Sequence, residues 1–399
     1  MTPTGTGAAS VTGRQAVSRL TRFLRLQSRL EAHKPTFSKF LGLSVSPTAE
    51  NGDGDDGAET VLRGESFSVS DRWNSRQKKA SLVVRYRFPH RLKQLESPRN
   101  SGPSLSTYAS ILDDATTLGI IGAAPKNPRP GVSVVLEARW GAGAGPAVSR
   151  VGDEVDIVTS VTKLGRTLGF VRAEVRDPSN ENALVCSFDH VKYLPTGWVL
   201  GLLLTPVGMW CLECILRYLG PYLPNNNHKT DKGEDEADDD VYAGILDSYR
   251  TTGDTTATFR FGQVHANGMG GLHGGVHAIL MERLGKTVAQ RELSKVVAAG
   301  GGGGDSSSSP PPSGALCEVD CERLKVTYQS SAASSSSRSL ELRAVVLDPP
   351  RPGRPSVTLR VEIVRSGRKR SRDGDSTVVV VSEGILTFAI ISSKGKKDQ

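Results

Sequence analysis

Cysteine is scarce in this chain, and its scarcity argues against one class of protein. The 399 residues include five cysteines, an odd and sparse set that does not suit a disulfide framework and favours a reducing compartment. Cys211 and Cys214 have the spacing of a metal-ligand pair, but no second pair or histidine partner lies near them in the sequence. We therefore predict neither a disulfide scaffold nor a metal site.

Aromatic residues are also few, and the basic charge comes without a nucleic-acid-binding motif. Aromatics make up 6% of the chain, and the net charge is +8. A basic balance suits nucleic acid, an anionic membrane or a phosphate-bearing ligand. The sequence contains no RNA-binding aromatic motif, zinc-finger spacing or helix-turn-helix signature, so we do not expect nucleic acid as a partner.

Acidic residues are missing from the first 30 positions, where five arginines stand among serines and threonines. This composition is typical of a mitochondrial or plastid transit peptide. We therefore predict a removable segment that directs the protein to a mitochondrion or another organelle. The alternative is a basic surface helix of a mature, cytoplasmic protein.

An uninterrupted membrane-spanning run of apolar residues is lacking as well. The apolar stretch within residues 198–223 is broken by Pro206 and is short for a transmembrane helix. It fits a buried connecting helix, an interfacial helix anchored by Trp198 and Trp210, or a short span. Peripheral membrane contact through this stretch is therefore one expectation, and we expect the acidic residues 225–240 after it to be a solvated linker.

Strand and helix signals occur twice in the same order. In each half a strand precedes a helix and four further strands, each bounded by Gly, Pro, Asn or Asp. The predicted elements are strand 80–88, helix 105–123 and strands 131–140, 154–165, 166–177 and 182–194, then strand 256–264, a helix to about 298, and strands 321–330, 339–348, 356–365 and 376–391. The halves also share short sequence echoes, which indicates an internal duplication.

The duplication sets the predicted domain organisation. Residues 1–64 form a basic targeting-like segment and linker, 65–195 the first domain, 196–250 a hydrophobic segment and acidic linker, 251–392 the second domain, and 393–399 a basic tail. Each domain is predicted as an α+β unit with one long helix wrapped by an antiparallel sheet. Since joining two open sheet edges removes an aggregation liability, we expect the halves to pair like a dimer within one chain.

A glycine-rich segment stands directly before the helix of the second half. Residues 267–285 read NGMGGLHGGVHAILMERLG. Asn267 lies six positions before His273, Gly274 and Gly275 follow the histidine, and Glu282 lies nine positions after it. This pattern, together with the order of the elements, resembles the hotdog fold, and more narrowly the acyl-CoA thioesterases of the 4-hydroxybenzoyl-CoA and phenylacetyl-CoA type.

The first half carries the same resemblance in other segments, namely PGVSV (130–134), VGDEVDI (151–157), KLGRTLGFVRAEVRD (163–177) and HVKYL (190–194). The resemblance implies two tandem hotdog domains and hydrolysis of a fatty or aryl acyl-CoA to free acid and coenzyme A. Coenzyme A is then part of the substrate, and no separate cofactor is implied. A dimer of such double chains is a further expectation.

Thioester hydrolysis needs a polarised carbonyl and an aimed water. A helix N-terminus offers unpaired N–H groups and a positive dipole end, and glycine permits close approach, so the N–H of Gly274, with that of Gly275, would form an oxyanion site. By resemblance Glu282, which lies about 180° round the helix from His273 and so acts across the groove, is the general base or nucleophile. Asn267 holds the carbonyl or the water, and His273 orients the loop.

The two halves do not repeat this motif equally. Nine positions before Asp113, where His-Gly-Gly would stand, the sequence reads Ser104-Leu105-Ser106. We therefore predict one working site and one nearly silent site per chain. The working site would combine Asn267, His273, Gly274 and Glu282 with Ser133, and the silent one would combine Ser104, Asp113 and Cys321.

Two further expectations concern the ligand. Lys163, Gly165 and Arg166 stand in a turn between two strands, where the resemblance implies contact with the phosphates of coenzyme A; a solvated hairpin tip is the alternative. Because one half lacks the motif, a non-catalytic acyl-CoA-binding or scaffold protein is the alternative function.

Overall fold

The computed structural model describes the two predicted halves and part of the N-terminal segment. The described residues are 36–43, 62–63, 67–70, 81–95, 103–123, 131–141, 154–180, 183–194, 244–267, 270–300, 317–330, 339–351, 353–367 and 377–390, with the single positions 20, 23, 207, 208, 211 and 242.

The first half contains one long helix and the strands that surround it. Before it come a short helix α1 (Phe37–Phe40) and the strands β1 (Leu62–Arg63) and β2 (Phe67–Ser70). The half itself consists of β3 (Ser81–Arg87), α2 (Leu105–Ala123), β4 (Val132–Trp140), β5 (Glu154–Leu164), β6 (Leu168–Asp177) and β7 (Ala183–Tyr193). Helix α2 is buried on almost every side, as a helix enclosed by a sheet must be.

The second half repeats this order. It consists of β8 (Arg250–Gly253), β9 (Thr256–Arg260), α3 (Gly274–Gly300), β10 (Val319–Tyr328), β11 (Ser339–Asp348), β12 (Ser356–Gly367) and β13 (Thr377–Ile390). The strands of both halves alternate between buried and exposed positions, which is the period of a sheet with one face on the core.

The thirteen strands in the described part of the chain belong to one antiparallel sheet. Its order is β1-β2-β3-β5-β6-β7-β4-β10-β13-β12-β11-β9-β8. The halves join where β4 pairs with β10, with Leu136 opposite Val326 and Ala138 opposite Leu324. Helices α2 and α3 also pack against each other. We call the β4–β10 pairing together with the α2–α3 contact the seam.

The predicted elements agree with the observed ones to within a few residues. Helix α2 has the predicted bounds, and the predicted strands correspond to β3 to β7 and β9 to β13. The predicted α+β class, with helices and an antiparallel sheet, is therefore confirmed. Four short elements were not predicted, namely α1, β1, β2 and β8, because segments of two to four residues are too short to show a period.

Part of the segment that was predicted as targeting-like and linker packs into the core. Leu20, Phe37 and Phe40 are buried, and all three belong to the hydrophobic cluster that spans both halves. The backbone of this segment is held as well, since the N–H of Phe37 donates to the carbonyl of Ala266 at 3.0 Å. Residues 36–43 are therefore an integral layer of the fold.

The predicted membrane-contacting stretch lies almost entirely outside the described residues. Of residues 198–223, only 207, 208 and 211 are described. Among the helices that the structure describes, none is long and apolar enough to cross a membrane.

Candidate active site

The His-Gly-Gly segment opens α3 through a tight backbone loop. The side-chain oxygen of Asn267 accepts the N–H of Gly271 at 3.1 Å, and Gly270 has a φ of +80°, a conformation that glycine adopts without strain. The N–H of His273 donates to the carbonyl of His265 at 3.0 Å. Asn267 therefore stabilises the loop that ends at Gly274, the first residue of the helix.

His273 is fixed by one hydrogen bond on each ring nitrogen. Its Nδ1 accepts the N–H of Gly275 at 3.0 Å, and its Nε2 lies 3.0 Å from Oδ1 of Asp114. Burial alone would lower the pKa of His273, but the carboxylates of Asp114 and Asp113 raise it. The two carboxylates favour a protonated ring, but Nδ1 can accept the N–H of Gly275 only when it carries no proton. The ring in this structure is therefore neutral, with its proton on Nε2.

The acid beside Gly274 comes from the other half. Asp113 lies on α2, and a Cβ added to Gly274 would overlap Oδ2 of Asp113 and lie 3.2 Å from the hydroxyl of Tyr328. That hydroxyl donates to the carbonyl of Gly274 at 2.8 Å. Only glycine therefore fits between the start of α3 and the carboxylate of Asp113.

Two side chains of the first half hold the other oxygen of Asp113. Oδ1 accepts from Oγ of Ser133 at 2.7 Å and from Nζ of Lys192 at 2.8 Å. Burial alone would raise the pKa of Asp113, but the positive charge of Lys192 and the hydrogen bond that its ammonium donates hold it well below its usual range. Asp113 is therefore a fully ionised, buried carboxylate at neutral pH.

His190 borders the same carboxylate from β7. Its Nδ1 lies 2.7 Å from Oγ1 of Thr116, and its Nε2 lies 3.6 Å from Oδ1 of Asp113. Burial and the nearby Lys192 keep the pKa of His190 well below its ordinary value. The ring is therefore neutral, and in the described part of the chain its Nε2 is a buried nitrogen without a hydrogen-bond partner.

Glu282 does not lie beside His273 and Gly274, where the sequence analysis grouped it. Its Oε2 accepts the backbone N–H of Ser106 at 2.7 Å, at the start of α2. Nine residues of helix turn a side chain to the opposite side, so each acid crosses the seam to the helix start of the other half. The rotation that the sequence analysis noted for Glu282 applies equally to Asp113, which therefore faces the intact motif.

The strand pairings of the two halves show which positions correspond. Ser133 pairs with Lys192, and a register shift follows Ser133 in β4. Cys321 pairs with Phe388, and a register shift follows Cys321 in β10. Such bulges are position-specific features of a sheet, so Cys321 corresponds to Ser133, and Phe388 corresponds to Lys192.

The environment of Glu282 raises its pKa where that of Asp113 lowers it. Burial, with a smaller contribution from the nearby Asp320, raises the pKa of Glu282 to about 7. The thiol of Cys321 is buried, and burial raises its pKa well above its ordinary value. This second seam position therefore holds an acid with a raised pKa and an unreactive thiol.

The predicted phosphate-binding residues lie at a hairpin tip. Lys163 closes the end of β5, and the N–H of Gly165 donates to the carbonyl of Leu168 at 2.8 Å. Lys163 and Arg166 are exposed. Within the described part of the chain no group of three His, Cys, Asp or Glu side chains is placed to hold a metal ion.

Three residues of the site received no role from the sequence, namely Asp114, His190 and Lys192. The last two stand in the HVKYL segment that contributed to the resemblance, where their alternation along a strand directs both to one face. Asp114 follows Asp113 directly, and an acid pair in the middle of a buried helix is the signal that marks it.

Residues 106–183 match the family model of the thioesterase superfamily, which confirms the resemblance and supports thioester hydrolysis as the general activity. No curated protein sequence matches the chain.

Among solved structures, the chain is similar to a 12:0-ACP thioesterase from Umbellularia californica. The sequence identity is 9%, the match covers 78% of this chain and 94% of the other, and the TM-score is 0.41. It is similar to an acyl-ACP thioesterase from Bacteroides thetaiotaomicron, with 10% identity, coverage of 77% and 97%, and a TM-score of 0.39. It is also similar to zebra fish thioesterase superfamily member 2, with 20% identity, coverage of 47% and 100%, and a TM-score of 0.29.

Proposed function

We propose that the chain is an acyl-CoA thioesterase built from two tandem hotdog halves, with one working site at their seam. The observation that carries the proposal is the placement of an ionised carboxylate, Asp113 of α2, against Gly274 at the start of α3. The acid of the proposed site is therefore Asp113, and Glu282 is given up for this role.

The start of α3 would bind the thioester carbonyl. The N–H of Gly275 is already engaged by His273, whereas Gly274 opens the helix and its N–H has no acceptor within the helix. The N–H of Gly274 would therefore stabilise the oxyanion, aided by the helix dipole. His273 would keep the loop in this conformation through Gly275 and Asp114, and Asn267 would hold the carbonyl or the water.

Asp113 would supply the attack on the carbonyl through Oδ2, since Oδ1 is held by Ser133 and Lys192. As a general base it takes a proton from water, the hydroxide oxygen bonds to the carbonyl carbon, and the C–S bond breaks to release the thiolate of coenzyme A. As a nucleophile it displaces the thiolate to give an anhydride, which water then hydrolyses. Ser133 keeps the carboxylate aimed in either case.

Coenzyme A as the leaving group is supported by charge. The chain is basic, and Lys163 and Arg166 are exposed beside Gly165 at the tip of the β5–β6 hairpin. A Lys/Arg pair at such a tip suits phosphate groups.

The test is release of free thiol from a panel of acyl-CoAs, measured with a thiol reagent on the full chain. Asp113→Asn should lower kcat by about 10²–10⁴-fold, the usual effect of losing a general base. Glu282→Gln is the matched control, because it makes the same chemical change at the corresponding position of the other helix, and it should stay within about tenfold of wild type.

Two outcomes would contradict the proposal. Equal damage from both variants would mean that the working site is assigned to the wrong helix. Binding of acyl-CoA without thiol release would favour the alternative, a non-catalytic acyl-CoA-binding or scaffold protein.

A further inference from the structure

Lys192 is an unusual residue for the interior of a protein. It lies on β7 and is 2% exposed, although lysine is almost never fully buried unless it is paired. Its ammonium lies 2.8 Å from Oδ1 of Asp113 and 3.5 Å from Oγ of Ser133. Burying an ion pair costs free energy because both charges lose their water. A buried pair beside the proposed site therefore suggests a functional role for the lysine.

The pair divides the carboxylate of Asp113 into two unlike oxygens. Oδ1 accepts from both Ser133 and Lys192, which restrains rotation about the bond to the carboxylate. Oδ2 is turned to Gly274 and lies 3.7 Å from Nδ1 of His273. The oxygen that faces the helix start is thus the one left without a close charged partner.

The other half of the chain provides an internal comparison. At the position that corresponds to Lys192, β13 has Phe388, opposite Cys321 rather than a serine. The acid of that half, Glu282, accepts the N–H of Ser106, and the lysine that acts on its charge is the half-buried Lys286 of its own helix rather than a buried lysine of the facing strand. The lysine and serine are therefore found with the intact His-Gly-Gly segment and not with its degenerate counterpart.

We propose that Lys192 is a positioning residue that locks Oδ1 of Asp113, so that Oδ2 alone is presented, ionised, to the substrate carbonyl. The proposal rests on the proposed function, in which Asp113 is the reacting acid. Lys192 does not touch the reacting atoms in this scheme; it acts through Asp113.

The charge on Lys192 dominates the surroundings of Asp113. The two buried helix acids differ in this respect. The charge of Lys192 lowers the pKa of Asp113 despite burial, whereas burial raises the pKa of Glu282 to about 7. The titratable and charged groups that face Asp113 are Lys192 and His190 from β7, His273 and His277 from the start of α3, and Tyr328 from β10. The rings of His190 and His277 are neutral, because burial lowers their pKa values.

The experiment is the pH dependence of kcat/KM for the full chain with an acyl-CoA, comparing wild type with Lys192→Met and Lys192→Arg. Removing a cation of this kind shifts a carboxyl pKa by about 1–3 units. Lys192→Met should therefore move the acidic limb of the profile upward by about that much, so that the variant loses kcat/KM in the ordinary titration range of aspartate, where the wild type stays ionised and active. Lys192→Arg should return the limb toward the wild-type position.

Lys325→Met is the control, since Lys325 is an exposed lysine on β10, and it should leave the profile unchanged. A purely structural lysine would lower the melting temperature of Lys192→Met without moving the limb. That result would overturn the proposal.

A second measurement does not depend on turnover. Carboxyl ¹³C NMR of aspartate-labelled protein, with Asp113 assigned from Asp113→Asn, should show an Asp113 signal that titrates below the ordinary aspartate range in wild type. If no thiol is released but this signal behaves as expected, the proposed function fails while the coupling to Lys192 stands. An Asp113 that titrates in the ordinary range or above it in wild type would overturn the inference even if Lys192→Met does not fold.

Discussion

At the scale of single residues, the two helix acids show how surroundings decide the chemistry of a carboxyl. Asp113 and Glu282 hold corresponding positions on α2 and α3, and both are buried. Asp113 has Lys192 as a partner and is ionised, whereas Glu282 forms no ion pair in the described part of the chain and accepts the N–H of Ser106. The same helix position thus yields an ionised carboxylate in one half and a helix cap in the other.

The stability of the protein should report the state of Glu282. Because its pKa rises from 4.5 to about 7 on folding, the folded state binds more protons between these values, and stability falls as pH rises through this window. Glu282→Gln keeps an acceptor for Ser106 and removes the titration. Relative to wild type, the variant should gain on the order of 3 kcal/mol or less between pH 4.5 and 7, measured by urea unfolding at a series of pH values. A constant difference across that range would contradict a buried, titrating Glu282.

The serine of the proposed site can be tested against its counterpart. Ser133→Ala removes a hydrogen bond to an ionised group, which is worth about 1.5–3 kcal/mol, so kcat should fall roughly 10- to 100-fold. Cys321→Ser makes a similarly small change at the corresponding position and should leave turnover near wild type. Thiol-release assays on both variants decide the matter, and an inactive Cys321→Ser with an active Ser133→Ala would reverse the assignment.

At the scale of elements, the site depends on how closely α2 and α3 approach. A Cβ added to Gly275 would lie 2.5 Å from Cβ and 2.6 Å from Cα of Ser110, and the hydroxyl of Ser110 donates to the carbonyl of Gly275 at 3.0 Å. The second glycine of the motif therefore lets the two helices touch, which is a packing role, while Gly274 faces Asp113.

Gly275→Ala should force the helices apart. Overpacking of this kind costs about 1–3 kcal/mol, and the displacement of α3 should also lower kcat, as measured by thermal unfolding and thiol release. Combining it with Ser110→Gly removes the opposing Cβ, so the double variant should recover part of both losses. A Gly275→Ala variant with the melting temperature and turnover of the wild type would contradict the close approach of the two helices.

The elements themselves could be predicted from sequence, but their partners across the seam could not. Alternation along a strand such as SVTLRVEIVR is a local signal, and β12 lies where it was predicted. The meeting of Asp113 with Gly274 depends on the pairing of β4 with β10, which joins residues nearly 190 positions apart, and no local pattern specifies it. The sequence did contain one signal of this arrangement. Nine residues of helix place His273 and Glu282 about 180° apart, so the two side chains cannot lie on the same face of α3.

At the scale of the whole molecule, the seam joins the halves into one body. The hydrophobic cluster includes Leu112 of α2 and Leu284 of α3, and the sheet runs through β4 and β10 without interruption. Burial of this kind is cooperative, so neither half is expected to keep its site geometry without the other. The proposed site uses both, with Asp113, Ser133 and Lys192 from one side and His273 and Gly274 from the other.

This arrangement predicts one ligand site per chain. A symmetric pair of hotdog units has two equivalent seam positions, but in the second position the N–H of Ser106 is already bound by Glu282, and Phe388 and Cys321 replace the lysine and serine. A thioester carbonyl would have to displace the carboxylate of Glu282 to reach that N–H. Titration calorimetry of Asp113→Asn with a non-hydrolysable thioether analogue of acyl-CoA should therefore give a stoichiometry of about one per chain. A stoichiometry of two would mean that the second position is open to ligand and that Glu282 is not its permanent occupant.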